Sequence, residues 1–255
     1  MKFLEYVPGD SLLHRLNPTA KFIAALVFAI ACFCTTSLPF LVAMLAAGLA
    51  LAASAGLVKP VIGLMKAVLV FSAILAVIQL FTVPQGAELV KLPWGYIGTQ
   101  SVRAALTTIL RLEACSIPLF LVFYVTKIND LTNAAVKNLH VPYKYAFTFS
   151  STVHFIPVFM NDMKGIMEAQ TARGIEFDQG GIVNKIRLMV PLCVPLLVGS
   201  VRKTNSAAIA AEVRGFNLRT RESGYKDYPF LACDWGVLAA SVVLLACAIA
   251  LTVLS

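Results

Sequence analysis

The chain has 255 residues, 59% of them apolar and 13% charged, with a net charge of +8 and a mean hydropathy of +0.81. Soluble domains carry about 25% charged residues, so the composition excludes a soluble globular protein and identifies an integral membrane protein. There is no Gly-X-Y period, no low-complexity tract and no short apolar core before a small-residue cleavage site; the positive balance suits a surface that faces anionic lipid or an acidic partner.

Residues 2–21 form a polar lead-in. Asp10-Ser11 is placed to cap a short helix and Asn17-Pro18 to open the next, since proline is tolerated in a first turn. Residues 22–36 are the first apolar run, short but sufficient with Lys21 snorkelling. Ser37-Leu38-Pro39 turns the chain, residues 40–57 cross back, and Lys59-Pro60 breaks that helix. Residues 61–83 are the third span. Residues 84–98, with Pro84, Gly86, Pro93 and Gly95, read as a loop carrying Trp94 and Tyr96 as interface anchors. The fourth span, 101–126, contains Arg111 and Glu113, which are costly in lipid and should face protein, and Pro118, a kink. Residues 127–142 are polar and amphipathic, with Asp130 placed to cap a short helix.

Residues 143–174 follow helical spacing without being a lipid span. Phe155, Phe159, Met163, Ile166 and Met167 share one face, and Asn161, Asp162, Lys164 and Glu168 the other. Residues 176–181 form a turn rich in Asp and Gly. A second long helix, 182–215, follows. Its apolar front half, 188–200, contains Leu188, Pro191 and Pro195 and is too short to cross a bilayer. Its polar, small-residue back half offers Ala207 and Ala211 for close helix packing. Residues 219–228 are a charged connector and 236–254 the last span. The domain scheme is therefore 1–126 (N-terminal segment and four spans), 127–234 (a large helical cytoplasmic region) and 235–255 (a closing span). Lysine and arginine concentrate in 1–21, 59–66 and 127–234, which places the N-terminus in the cytoplasm. The fold class is an all-α integral membrane protein with about five transmembrane helices and long cytoplasmic or interfacial helices.

Both long helices stop alike. The first ends Glu168-Ala169-Gln170-Thr171-Ala172-Arg173-Gly174, the second Ala211-Glu212-Val213-Arg214-Gly215-Phe216. Glycine closes a helix in the left-handed conformation without a Cβ penalty, and a cation in the last turn suits the negative end of the dipole. Termination explains one such stop. Two, on neighbouring helices in a basic region, look like a pair of cationic pegs offered to a partner. Other chemistry lacks its residues. Cys32, Cys34, Cys115, Cys193, Cys233 and Cys247 make no Cys-x-x-Cys, His14, His140 and His154 are widely spread, and no phosphate-loop motif occurs. The chain is expected to carry no catalytic or metal site.

The residues resemble the transmembrane T component of energy-coupling factor (ECF) transporters. The resemblance runs from Leu13-His14-Arg15-Leu16-Asn17-Pro18, through Tyr124-Val125-Thr126 and Phe155-Ile156-Pro157, to the two Ala-Arg-Gly-type stops, the second of which has Val213 in place of Ala. It implies a non-catalytic subunit of an ATP-driven importer of vitamins or other micronutrients, in the plasma membrane of a prokaryote. Its implied partners are two cytoplasmic ABC ATPases and a substrate-binding membrane S component, with the lipid bilayer around it and no nucleic acid. It implies no cofactor in this chain, ATP and magnesium being held by the ATPases. Ala172, Arg173, Gly174, Val213, Arg214 and Gly215 would dock the ATPases. Leu188, Pro191, Pro195, Ala207 and Ala211 would serve the S component and helix packing. The alternative is a self-sufficient secondary carrier with Arg111 and Glu113 in its pathway; a membrane-embedded enzyme is disfavoured because His154 and Glu113 are isolated.

Overall fold

The computed structural model describes residues 7–9, 11–82, 88–92, 95–175, 177, 181–220, 223–224 and 226–254. The elements run α1 (Leu12–Arg15), α2 (Pro18–Cys34), α3 (Leu38–Ser54), α4 (Val58–Thr82), β1 (Glu88–Leu92), β2 (Gly95–Gly98), α5 (Thr99–Val125), α6 (Ile128–Asn138), α7 (Tyr143–Ala172), α8 (Ile182–Val213) and α9 (Ala232–Leu254), with a 3₁₀ turn at Phe216–Leu218. The chain is an all-α membrane protein, with one β-hairpin among the described residues. It divides into two compact units, residues 1–134 with 228–255, and residues 135–227.

In the first unit α5 is the centre. It packs against α2, α3 and α4, and α2 carries α9 on its other side. Phe28, Ala31 and Cys32 of α2, Leu41 and Met44 of α3, Ala114 of α5 and Ala248 of α9 form one core cluster. Val61 of α4 meets Ile117, Leu121 and Tyr124 of α5 in a second. The approach of α3 to α5 needs Gly48, where a Cβ would stand 3.2 Å from Ile117 Cγ2.

Helices α4, α5 and α9 are long and apolar enough to cross a membrane. Helices α2 and α3 have 17 residues each, about 25 Å of helix. Outward faces such as Leu69, Val70, Phe71, Ile74 and Ile78 of α4, or Val242 and Val243 of α9, are exposed; such surface belongs in lipid.

Helices α2 and α9 run parallel and are tied at both ends. At one end Asn17 caps α2, its Oδ1 accepting from Thr19 N at 3.0 Å, while Asn17 N donates to Asp234 Oδ1 at 2.8 Å. At the other, Thr252 Oγ1 donates to Cys34 O at 2.8 Å. Asp234 is fully buried, and its second oxygen accepts Leu231 N–H at 2.8 Å, closing the first turn of α9. Tyr228 Oη donates to Asp130 Oδ1 at 2.9 Å; burial, and then this bond, raise the hydroxyl above its ordinary range.

Four expectations change. The 84–98 loop contains an antiparallel hairpin, pairing Val90 with Ile97 and Leu92 with Gly95. Lys59-Pro60 lies in the first turn of α4, and the break falls at Gly56, which takes φ +71°. Asp130 sits inside the first turn of α6 and accepts the Tyr228 hydroxyl. Ser11 precedes α1, with its hydroxyl on His14 Nδ1 at 2.7 Å and not on a backbone amide. Asp10, Pro84, Gly86, Pro93, Trp94, Glu176, Asp178 and Gly180 lie outside the described residues.

The second unit is built on α7 and α8. Asp162 Oδ2 and Lys203 Nζ form an ion pair at 2.5 Å. Asp162, Gly165, Ala169, Pro195, Gly199 and Lys203 share one cleft, and Phe147 meets Phe216 with ring centroids 4.8 Å apart. As α7 positions rise along these contacts, those of α8 and the turn after it fall, so the two helices run antiparallel, touching around Asp162–Ala169 and Pro195–Lys203 while residues 204–210 of α8 are exposed. Lys137 Nζ donates to Gly224 O at 3.0 Å and pairs with Asp227, holding the connector.

Candidate functional site: two arginine stops on one helical hairpin

The termination physics produces both arginines in the same local setting. Arg173 ends α7 at φ −87°, ψ 6°, and Gly174 follows at φ +88°. Gly174 N–H donates to Thr171 O at 2.9 Å and Ile175 N–H to Gln170 O at 3.1 Å. These are the paired closing bonds of a Schellman motif. Arg214 ends α8 at φ −82°, ψ 9°, Gly215 follows at φ +72°, and Gly215 N–H donates to Glu212 O at 2.9 Å. The chain then tightens into the 3₁₀ turn, where Leu218 N–H donates to Gly215 O at 3.0 Å.

Both arginines are exposed, and among the described residues neither guanidinium has a hydrogen-bond or ion-pair partner. Ala172 is exposed beside Arg173, and Val213 is 83% exposed beside Arg214. Each stop thus offers a five-donor planar cation flanked by bare apolar surface. That combination fits a carboxylate set in a partly apolar groove.

The hairpin register separates the stops. Asp162 faces Lys203, so Arg214 is level with residues near 150 of α7. Arg173 then lies about 35 Å further along the hairpin, at 1.5 Å per residue. The two cations stand at opposite ends of the hairpin. Primary sequence conceals this, because the two stops look like neighbours.

Of the residues expected to serve packing, Pro195 lines the cleft between α7 and α8, which has a volume of about 440 Å³. Leu188 and Ala211 are half-buried, and Pro191 and Ala207 are exposed. Gly165 and Gly199 line the same cleft, small residues outside the alanine stripe of Ala207 and Ala211.

Four further residues surround the second stop. Phe216 lies 5.6 Å from Tyr143 and 4.8 Å from Phe147 by ring centroid. Arg219 sets its guanidinium carbon 4.5 Å from the Tyr143 ring centre and donates from Nη1 to Tyr143 Oη at 2.7 Å. The available signal was an aromatic i, i+4 pair at the start of α7 and an aromatic directly after the motif.

Within α5, Arg111 and Glu113 are not partners. Arg111 Nη2 donates to Thr35 O at 2.7 Å, the carbonyl just past the end of α2. Glu113 is 4% exposed, and both its carboxyl oxygens lack a hydrogen-bond partner among the described residues. Two positions apart on a helix point nearly opposite ways, which explains the separation.

A cobalt transport protein family, CbiQ, matches residues 9–225. The energy-coupling factor transporter transmembrane protein EcfT of Heliobacterium modesticaldum is 32% identical over 258 residues, covering 91% of this chain and 93% of that protein. EcfT of Lactococcus lactis is 28% identical over 264 residues, covering 94% and 93%, and EcfT of Brevibacillus brevis 27% over 248 residues, covering 94% of each.

Proposed function

The chain belongs to the cobalt transport protein family as a T component of energy-coupling factor transporters, and on that premise we propose that it joins a substrate-binding membrane S component to two cytoplasmic ABC ATPases. In this reading Arg173 and Arg214, with Ala172, Gly174, Val213 and Gly215, dock one ATPase each. The chain itself catalyses nothing. ATP and magnesium bind to the ATPases, and the S component selects the vitamin or other micronutrient. ATP-driven closure displaces the ends of the hairpin, and that displacement reorients the S component. The host membrane is a prokaryotic plasma membrane, with the N-terminus and residues 127–234 on the cytoplasmic side; the lysine and arginine distribution supports this orientation.

The observation that carries the proposal is the spacing, about 35 Å on one hairpin, of two exposed guanidinium groups without a partner among the described residues. That span is far wider than a single helix-end groove, so two separate receptors account for it. Losing one charged contact from such an interface costs about 2–5 kcal/mol.

The test is affinity purification of the tagged chain from its native membrane, with Arg173→Ala, Arg214→Ala and the double variant. Each single variant is expected to weaken ATPase recovery, and the double variant to abolish it while membrane insertion is kept. Normal transport by the double variant would refute the docking roles. A chain that purifies alone and moves a solute unaided in vesicles would instead establish a secondary carrier centred on Arg111 and Glu113.

A further inference from the structure

We propose that Tyr143, Phe147, Phe216 and Arg219 form a clasp that fixes where Arg214 points, by holding the turn after α8 against the start of α7. The inference rests on the docking role of Arg214 and adds positioning residues to it.

The clasp begins with backbone geometry. Gly215 at φ +72° turns the chain back on itself, which carries Phe216 toward the first turns of α7. There the Phe216 ring stands tilted at 50° to Tyr143 and 58° to Phe147, the inclined arrangement that aromatic quadrupoles favour. Tyr143 and Phe147 are one helical turn apart, at 6.0 Å, and Pro142 immediately before them holds φ at −56°. The base of the clasp is therefore stiff. Arg219 closes it from the far side of the 3₁₀ turn, over the Tyr143 ring and hydrogen-bonded to its hydroxyl. Phe216 is two residues from Arg214, so few free torsions separate the anchored ring from the docking cation.

The Arg173 end is closed differently. Its bonds are backbone to backbone, and Thr171 Oγ1 donates to Met167 O of its own helix at 2.9 Å. Among the described residues no ring or cation contact ties that turn to α8. The two stops share a sequence pattern and a glycine conformation, yet among the described residues the ring contacts brace the second one against the opposite helix. A braced cation presents one orientation to a groove, which lowers the ordering cost of docking.

The experiment has two readouts. Spin labels at Glu168→Cys and Glu212→Cys, in the full chain with its six native cysteines replaced, lie about 25 Å apart by the hairpin register and report the distance distribution by pulsed electron resonance. The second readout is the affinity of the purified ATPases for the chain. Phe216→Ala and Arg219→Ala should broaden the distribution and weaken ATPase affinity roughly tenfold; Phe216→Tyr, which keeps the ring, should restore both. An unchanged distribution in Phe216→Ala would overturn the clasp. A broadened distribution with unchanged affinity would overturn its positioning role. If Arg214→Ala itself leaves affinity intact, the docking reading has failed, and that outcome is separable because the distance measurement needs no ATPase.

Discussion

Asp234 is the residue whose loss should cost the first unit most. It is fully buried and accepts two backbone amides, Asn17 N–H and Leu231 N–H, each at 2.8 Å. One oxygen closes the start of α9 and the other holds the start of α2. Both amides lie at helix N-termini, where a negative charge is also favoured by the dipoles. In Asp234→Ala both amides lose their acceptor, at about 1–3 kcal/mol for the buried Asn17 donor left unsatisfied and about 0.5–2 kcal/mol for the part-buried Leu231 amide, which loses its capping bond. The expected destabilisation is about 1.5–5 kcal/mol. For a chain of this size that corresponds to a fall of roughly 10 °C in Tm. Asp234→Asn keeps one good acceptor oxygen and should lose about half as much. The assay is thermal unfolding of the full chain in detergent, with the exposed Glu168→Ala as a control that should move Tm little. An Asp234→Ala variant within about 2 °C of the parent, or an Asp234→Asn variant less stable than Asp234→Ala, would refute the two-amide argument.

Three other outcomes follow from the geometry. Gly48→Leu should drive α3 off Ile117, already 3.2 Å from a notional Cβ, costing about 1–3 kcal/mol and lowering the yield of monodisperse protein. Gly174→Ala and Gly215→Ala should each cost about 1–2 kcal/mol through the left-handed backbone alone, since neither position crowds a Cβ; Tm measurement checks this, and equal losses at the two sites are the signature. A double-mutant cycle on Asp162 and Lys203, whose side chains are 32% and 40% exposed, should give a coupling of only about 0.5–1 kcal/mol.

The sequence was most informative where one residue type serves one backbone need. Asn17-Pro18 announced the start of α2, and Gly174 and Gly215 announced two helix ends, because cap and left-handed conformations have few occupants. The half-buried face Phe155, Phe159, Met163, Ile166 and Met167 followed from helical periodicity. What stayed hidden depended on which segments meet. Nothing local says that Arg111 reaches the Thr35 carbonyl, or that α7 and α8 align so that Asp162 meets Lys203. Register between helices is decided by side-chain shape over distant positions, and a one-dimensional pattern does not encode it. Local signals also misled at Lys59-Pro60, which can break a helix or begin one, and was read as the former. The β1–β2 hairpin was missed because Pro93 and Gly95 drew the reading to loop, although proline and glycine also serve the turn between two strands.

The gap between Gly165 and Gly199 gives the hairpin unequal arms. Position 165 lies eight residues before Arg173, and position 199 fifteen before Arg214, or about 12 Å and about 22 Å of helix. A see-saw tilt about that thinly filled contact would sweep Arg214 through nearly twice the arc of Arg173, in the opposite sense. One small rotation at the centre would thus be read out as a large stroke at the braced end and a short one at the other.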